Sequence, residues 1–345
     1  MNADALIIHL SDLHFSGYLQ NVDNIGEWSQ VAKTHDFLVL QEMESIIVQL
    51  LREYRDRVIV VITGDLTTAA EPPAYELLTT YLFGKVWISE NKRVGLGLHD
   101  EFHLQDRVFV VPGNHDAWLR FSGILRRLTR WRQHFDRRQL FRDYFGMQPQ
   151  VKPLVVNGVS FVFYLLDSNE LVAGGLNAWN IRNALGRGRV GRAQIGNVLA
   201  MHNQLMAGNI PVPPGFELDA AIRIGVLHHH PAIPDDLPSG VEQRLLRLQD
   251  APDVTALFHE QLHTHLVVCG HQHFPYLYPD PATAAPWLSC AGTATQHKSP
   301  VNSFKLYWIR KSAPRSITVE EFVRNRAEAA VSKFTSTSTV PIPLL

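Results

Sequence analysis

Val58-Ile59-Val60-Val61-Ile62-Thr63-Gly64-Asp65 (VIVVITGD) is the stretch whose reading decides the fold. Its apolar run is short and β-branched, as in a strand buried on both faces. It stops at a glycine followed by a carboxylate. Four other runs stop in the same way. Upstream, Ala5–Leu10 (ALIIHL) runs into Ser11-Asp12-Leu13-His14. Downstream, Arg107–Pro112 (RVFVVP) runs into Gly113-Asn114-His115-Asp116. Ile222–Leu227 (IRIGVL) runs into His228-His229-His230-Pro231, and Leu266–Cys269 (LVVC) into Gly270-His271-Gln272-His273. In open α/β sheets functional groups collect beyond the carboxyl ends of the strands. Five polar turns at five strand ends therefore predict one shared site.

The segments between these strands support an α/β arrangement. Leu40, Met43, Ile47, Leu50 and Tyr54 recur at spacings of three and four and make one apolar helix face. A strand, a helix and a strand predict a βαβ crossover. Residues 75–83 (YELLTTYLF) and 194–206 (QIGNVLAMHNQLM) read as further helices. Val155 to Leu166 reads as a hairpin turning at Asn157-Gly158 and ending at Asp167-Ser168. Trp287–Ala291, Phe304–Ile309 and 317–323 (ITVEEFV) read as strands. Residues 1–331 are expected to form one domain with a helical insertion at about 117–148. Residues 332–345, rich in Ser, Thr and Pro, are expected to be a flexible tail.

Bulk properties exclude several classes. The chain has 345 residues, 46% of them hydrophobic, enough for a large core. Its net charge of −1 gives no global attraction to nucleic acid or anionic membrane. Two cysteines, Cys269 and Cys290, are too few for a disulfide framework. Asp4 stands where a secretory leader carries positive charge, and no 18-residue apolar run occurs. These features predict a cytoplasmic protein without a membrane span. The 17 histidines are the unusual quantity, and several lie in the strand-end turns.

Those turns carry the donors that two adjacent metal ions need: imidazoles, a neutral amide oxygen, and a carboxylate able to bridge. In extended chain, Asp12 and His14 point to one side and can reach one ion. Asp65 follows a glycine at a neighbouring strand end and can bridge. Asn114 offers a carbonyl oxygen. One histidine of 228–230 and the pair His271/His273 complete two ligand shells. Each motif alone reads equally as an ordinary turn; five in sequence do not.

The ordered set D-x-H, G-D, G-N-H-D, H-H-P and G-H-x-H resembles the calcineurin-like metallophosphoesterases. The forms SDLHF, GDLTT, VPGNHD and HHP look most like the class III cyclic-nucleotide phosphodiesterase branch, as do Asp167-Ser168 and the helix start from Gly191 to Gln194. The resemblance implies a sandwich of two mixed β-sheets flanked by helices, with the metal site at strand C-terminal ends. It implies that Asp12, His14 and His273 hold a first ion, that Asn114, His229 and His271 hold a second, and that Asp65 bridges. Manganese, iron and zinc all suit these ligands. It further implies a nucleophilic hydroxide between the ions, with His115 protonating the leaving group and Asp116 orienting His115. The sequence has HHHP where the motif has HHP. Alignment on Pro231 selects His229, and strand alternation turns His228 and His230 away. The expected substrate is a small phosphodiester resembling a cyclic nucleotide.

Eight arginines lie between residues 120 and 142, interleaved with Phe121, Trp131, Phe135 and Phe141. One reading is a nucleic-acid-binding insertion, which makes a nuclease the main enzymatic alternative. The preferred reading is an amphipathic cap, aromatics inward and arginines solvated. The basic loop Arg182–Arg192 is read as a surface loop rather than a phosphate clamp. A phosphomonoesterase or protein phosphatase is a weaker alternative, and a catalytically silent scaffold is the non-enzymatic one. His297, shortly after Gly292-Thr293, is the one remaining histidine placed near the site.

Overall fold

The computed structural model describes residues 3–15, 37–68, 70–84, 86–89, 92–117, 137–146, 150–170, 187–232, 248–279, 286–295, 301–312, 315–325 and 333–344. His297 and most of the arginine-rich stretch lie outside them. The described strands are β1 (Ala5–Leu10), β2 (Val58–Thr63), β3 (Val86–Ser89), β4 (Lys92–Val94), β5 (Val108–Val111), β6 (Val151–Val156), β7 (Val159–Leu165), β8 (Ile222–Val226), β9 (Leu266–Cys269), β10 (Tyr276–Pro279), β11 (Trp287–Cys290), β12 (Val301–Arg310), β13 (Ser316–Asn325) and β14 (Thr335–Pro343).

They form two six-stranded mixed sheets, ordered β14-β13-β12-β1-β2-β5 and β10-β11-β9-β8-β7-β6, and a small β3-β4 hairpin. The expected sandwich of two mixed sheets flanked by helices is what the chain builds. The five strands that end in polar turns are parallel within each sheet: β1, β2 and β5 in one, β8 and β9 in the other. Their carboxyl ends therefore share one edge of the sandwich.

Alternation along the strands divides the core. In β1 and β2, Ile7, Ile59 and Val61 face the opposite sheet and meet Phe161, Phe163, Ile224 and Val268. Leu6, Ile8, Val60 and Ile62 face the other way, under the helices Phe37–Tyr54 and Pro72–Phe83. Both faces are apolar because both are covered. Beyond the second sheet, Val162 and Tyr164 pack under the helix Arg192–Met206 and the helical stretch 251–261. Of the five helix-face residues named from spacing, Leu40, Met43 and Ile47 are fully buried and Leu50 and Tyr54 partly buried, while Val39 and Leu51 complete the buried face. The Asn157-Gly158 turn has φ of 48° and 73°, the signs of a type I′ hairpin turn.

The expected C-terminal tail is instead strand β14. It pairs with β13 from Ser316↔Pro343 to Val323↔Thr335 and is pinned by buried Phe334 and Ile342. Its threonines and Val340 are good strand formers, and its prolines are tolerated because the strand lies at the sheet edge. Of the arginine-rich insertion, only its end is described. The helix Arg138–Phe145 buries Phe141 and stacks Tyr144 on Tyr75 at 5.2 Å, so this end packs its aromatics inward.

Candidate metal centre

The first two strand ends zip together through backbone bonds. Asp12 N–H donates to Gly64 O, His14 N–H to Asp65 O, and Phe15 N–H to Leu66 O, at 3.0, 2.9 and 2.8 Å. The expectation of an extended Asp12-x-His14 is not met. Both residues are left-handed, with φ of 53° and 51°, and so are Asp65, His271 and His273. Left-handed backbone costs on the order of 1 kcal/mol for a non-glycine residue. Five such residues in the polar turns are tolerated because the surrounding core and these bonds over-determine them. Gly113 is required by close approach: a Cβ there would stand 2.2 Å from Asp65 Oδ1.

Two clusters of donor atoms meet at Asp65. In the first, Asp12, His14, Asp65 and His273 bring ligand atoms within 4.8 Å of one another. His273 Nε2 lies 3.1 Å from Asp12 Oδ1 and 3.1 Å from His14 Nε2. Asp12 Oδ2 accepts from Ser11 Oγ at 2.5 Å and from His271 N–H at 3.0 Å. Oδ1 is left buried without a hydrogen bond of usable geometry.

In the second cluster, His228 Nε2 stands 3.1 Å from Asn114 Oδ1, 3.1 Å from His271 Nδ1 and 3.4 Å from Asp65 Oδ1. The strand alternation expected to turn His228 away does not operate, because β8 ends at Val226 and the pleat ends with it. His228 Nδ1 donates to Thr63 O at 2.6 Å, which turns its Nε2 toward the cluster. His229 lies in the same cluster. Its Nδ1 is 2.7 Å from Ser168 Oγ, and its Nε2 is buried without a partner. His230 does turn away, toward Tyr276.

Electrostatics favour positive charge here. Burial alone lowers a histidine pKa, and it holds both His14 and His271 down to about 3. Against the same burial, the Asp65 carboxylate pushes His228 up to about 9, and Asp12 raises His273. The neutral imidazoles of His14 and His271, two carboxylates, an amide oxygen and two buried atoms without a formed hydrogen bond, Asp12 Oδ1 and His229 Nε2, fit a pair of cations.

His115 stands at the rim with its side chain 35% exposed. Its backbone N–H donates to Asp65 Oδ1 at 2.8 Å, and its Nδ1 donates to Thr68 O at 3.0 Å. The expected partner, Asp116, does not orient it. Asp116 is fully buried and accepts from Leu66 N–H, Gly113 N–H, Thr67 N–H and Thr67 Oγ at 2.9–3.1 Å. It is a clamp between the turns after β2 and β5. Asp116→Asn keeps one acceptor oxygen for four donors and turns an N–H₂ group toward the rest. The expected cost is about 2–4 kcal/mol of stability, read by denaturant unfolding; an unchanged midpoint would reject the clamp.

Other histidines have structural partners. His9 sits between Tyr307 Oη and Thr63 Oγ1, and His202 meets Tyr164 Oη. Residues missed at the sequence level are Ser11, Thr63, Thr68 and Ser168, which hold the donors in place. Only the pairing of Asp167-Ser168 with a strand end hinted at the last.

The sequence profile described as calcineurin-like phosphoesterase matches residues 5–275. No curated protein matches the chain in sequence. Among solved structures, a dimetal phosphatase from Danio rerio aligns over 99% of both chains at 11% identity and a TM-score of 0.49. GAP50, the anchor in the inner membrane complex of Plasmodium, aligns over 99% of this chain and 89% of its own at 11% identity and 0.47. The 5'-nucleotidase from Candida albicans aligns over 90% of this chain and 48% of its own at 11% identity and 0.41.

Proposed function

The chain belongs to the calcineurin-like phosphoesterase family, and from that premise we propose that it hydrolyses a small phosphodiester resembling a cyclic nucleotide at the centre built on Asp65. The family makes the chemistry metal-dependent phosphoester hydrolysis. The observation that carries the reading is the meeting of two donor clusters at one buried carboxylate, beside a half-exposed histidine. The diester preference is supported by the motif forms SDLHF, GDLTT, VPGNHD and HHP.

In this reading Asp12, His14 and His273 hold one ion and Asn114, His271 and His228 the other, with Asp65 shared. Proximity supports His228 over His229 as the direct ligand: its Nε2 faces Asn114, His271 and Asp65 together. A pair of manganese, iron or zinc ions held there would lower the pKa of water and polarise phosphoryl oxygens. The chain's own residues do the rest. Asp12 and Asp65 offset the added positive charge. The Thr68 carbonyl accepts a hydrogen bond from His115 Nδ1, so Nε2 is the atom that can give a proton to a departing alkoxide. His115→Ala is expected to lower kcat by about 10²–10⁴-fold while metal content stays near wild type, because the ring is outside both clusters. Unchanged kcat would remove that role.

The deciding assay compares bis(p-nitrophenyl) phosphate with p-nitrophenyl phosphate, with and without added manganese. Metal-dependent cleavage of the diester is expected. Cleavage of the monoester alone would move the substrate to phosphatase chemistry. Salt-sensitive cleavage of DNA or RNA, with no action on small diesters, would make the protein a nuclease.

A further inference from the structure

Behind the catalytic edge lies a second group of side chains of metal-ligating type that the phosphoesterase chemistry does not use. Cys269 closes β9 and Cys290 closes the parallel neighbour β11, and the two are directly paired in register. Paired positions on adjacent strands send side chains to the same face. His230 reaches this face from the turn after β8. Its Nδ1 is 3.5 Å from Cys269 Sγ and hydrogen-bonds Tyr276 Oη; that oxygen is 3.5 Å from Cys269 Sγ. His230, Cys269 and Cys290 are all fully buried, and their ligand atoms lie within 4.8 Å of one another.

We propose that His230, Cys269 and Cys290, with Tyr276 Oη as the neighbouring fourth donor, bind a single zinc-class ion that ties β8, β9 and β11 together below the phosphoesterase centre. Zinc–sulfur bonds of about 2.3 Å and zinc–nitrogen bonds of about 2.0–2.1 Å place the S···N edge of a tetrahedron at about 3.5 Å, the separation found between Cys269 and His230. The S···S edge of about 3.8 Å lies inside the span of the cluster. Two thiolates neutralise a divalent ion, and their thiol protons leave to solvent on binding. His230, Cys269 and Cys290 are shut off from solvent, as the ligands of structural zinc sites are. Thiolates select softer ions than the all-nitrogen-and-oxygen centre does, so the two sites load differently. Lys305 strengthens the frame from below: its buried Nζ donates to Tyr276 O at 2.5 Å.

The site shares no residue with the catalytic clusters, and sulfur gives it a separate signature. Protein expressed in cobalt-supplemented medium is expected to show a near-ultraviolet thiolate-to-cobalt charge-transfer band, which the catalytic donors cannot produce. C269S/C290S is expected to lose the band and one equivalent of metal. D65A is expected to keep the band, so loss of the catalytic centre and loss of this site are distinguishable. Should C269S/C290S fail to fold, X-ray absorption on the wild-type zinc protein reads the same question through zinc–sulfur scattering at about 2.3 Å. Zinc bound through nitrogen and oxygen only, or a Cys269–Cys290 disulfide in protein isolated without reductant, would overturn the proposal.

Discussion

Asp65→Ala is expected to lose both catalytic ions and to lower phosphoester hydrolysis by more than about 100-fold. The bound sets the scale: removing a partner that merely orients a ligand costs 10–100-fold in metal affinity or activity, and Asp65 faces both clusters directly. Its side chain also receives the His115 N–H at 2.8 Å. The truncation therefore loosens the rim as well as the floor. A second effect points the same way. Without Asp65, the pocket loses one of the two buried carboxylates that offset cationic charge. Metal content by mass spectrometry, beside a diester assay and a circular-dichroism check of folding, tests this. A folded variant that keeps both catalytic ions and wild-type turnover would end the assignment of Asp65 as the shared ligand.

His228→Ala is expected to be far more damaging than His229→Ala. The His228 ring is oriented by the Thr63 carbonyl, and its Nε2 lies within 3.4 Å of Asn114, His271 and Asp65. Its loss should remove one of the two ions and lower activity by at least about 100-fold. His229 has one ring nitrogen occupied by Ser168 Oγ, and it packs on the His271 ring at 4.4 Å. Its truncation should disturb a ligand rather than delete one, with a loss of about 10-fold. Parallel metal analysis and kinetics of the two variants decide. The reverse order would restore the choice made by aligning the HHHP run on Pro231.

The expectation that His228 turns away illustrates the limit of periodicity. Alternation holds while residues lie in a strand, and β8 stops at Val226. Beyond it, the direction of a side chain is set by turn geometry and by whichever carbonyl accepts its proton. Asp12 and His14 teach the same point. Their pairing was legible from spacing, but through the wrong conformation, since both are left-handed around a buried Leu13. Asp116 lay one residue from His115 and was read as its partner; the four donors around it come from two loops that only folding brings together. Strand β14 was hidden because Ser, Thr and Pro suit a tail as well as an edge strand, and only the open edge of β13 distinguishes them.

The sequence by itself determined the α/β class, the five strands and the donors at their ends, because buried strands need apolar runs and metal chemistry needs Asp, Asn and His at the turns. The tertiary structure decided which of three consecutive histidines faces Asp65, which partner fixes each imidazole, and that Cys269, Cys290 and His230 form one buried cluster. These are contacts between strands far apart in the chain, and no local pattern encodes them.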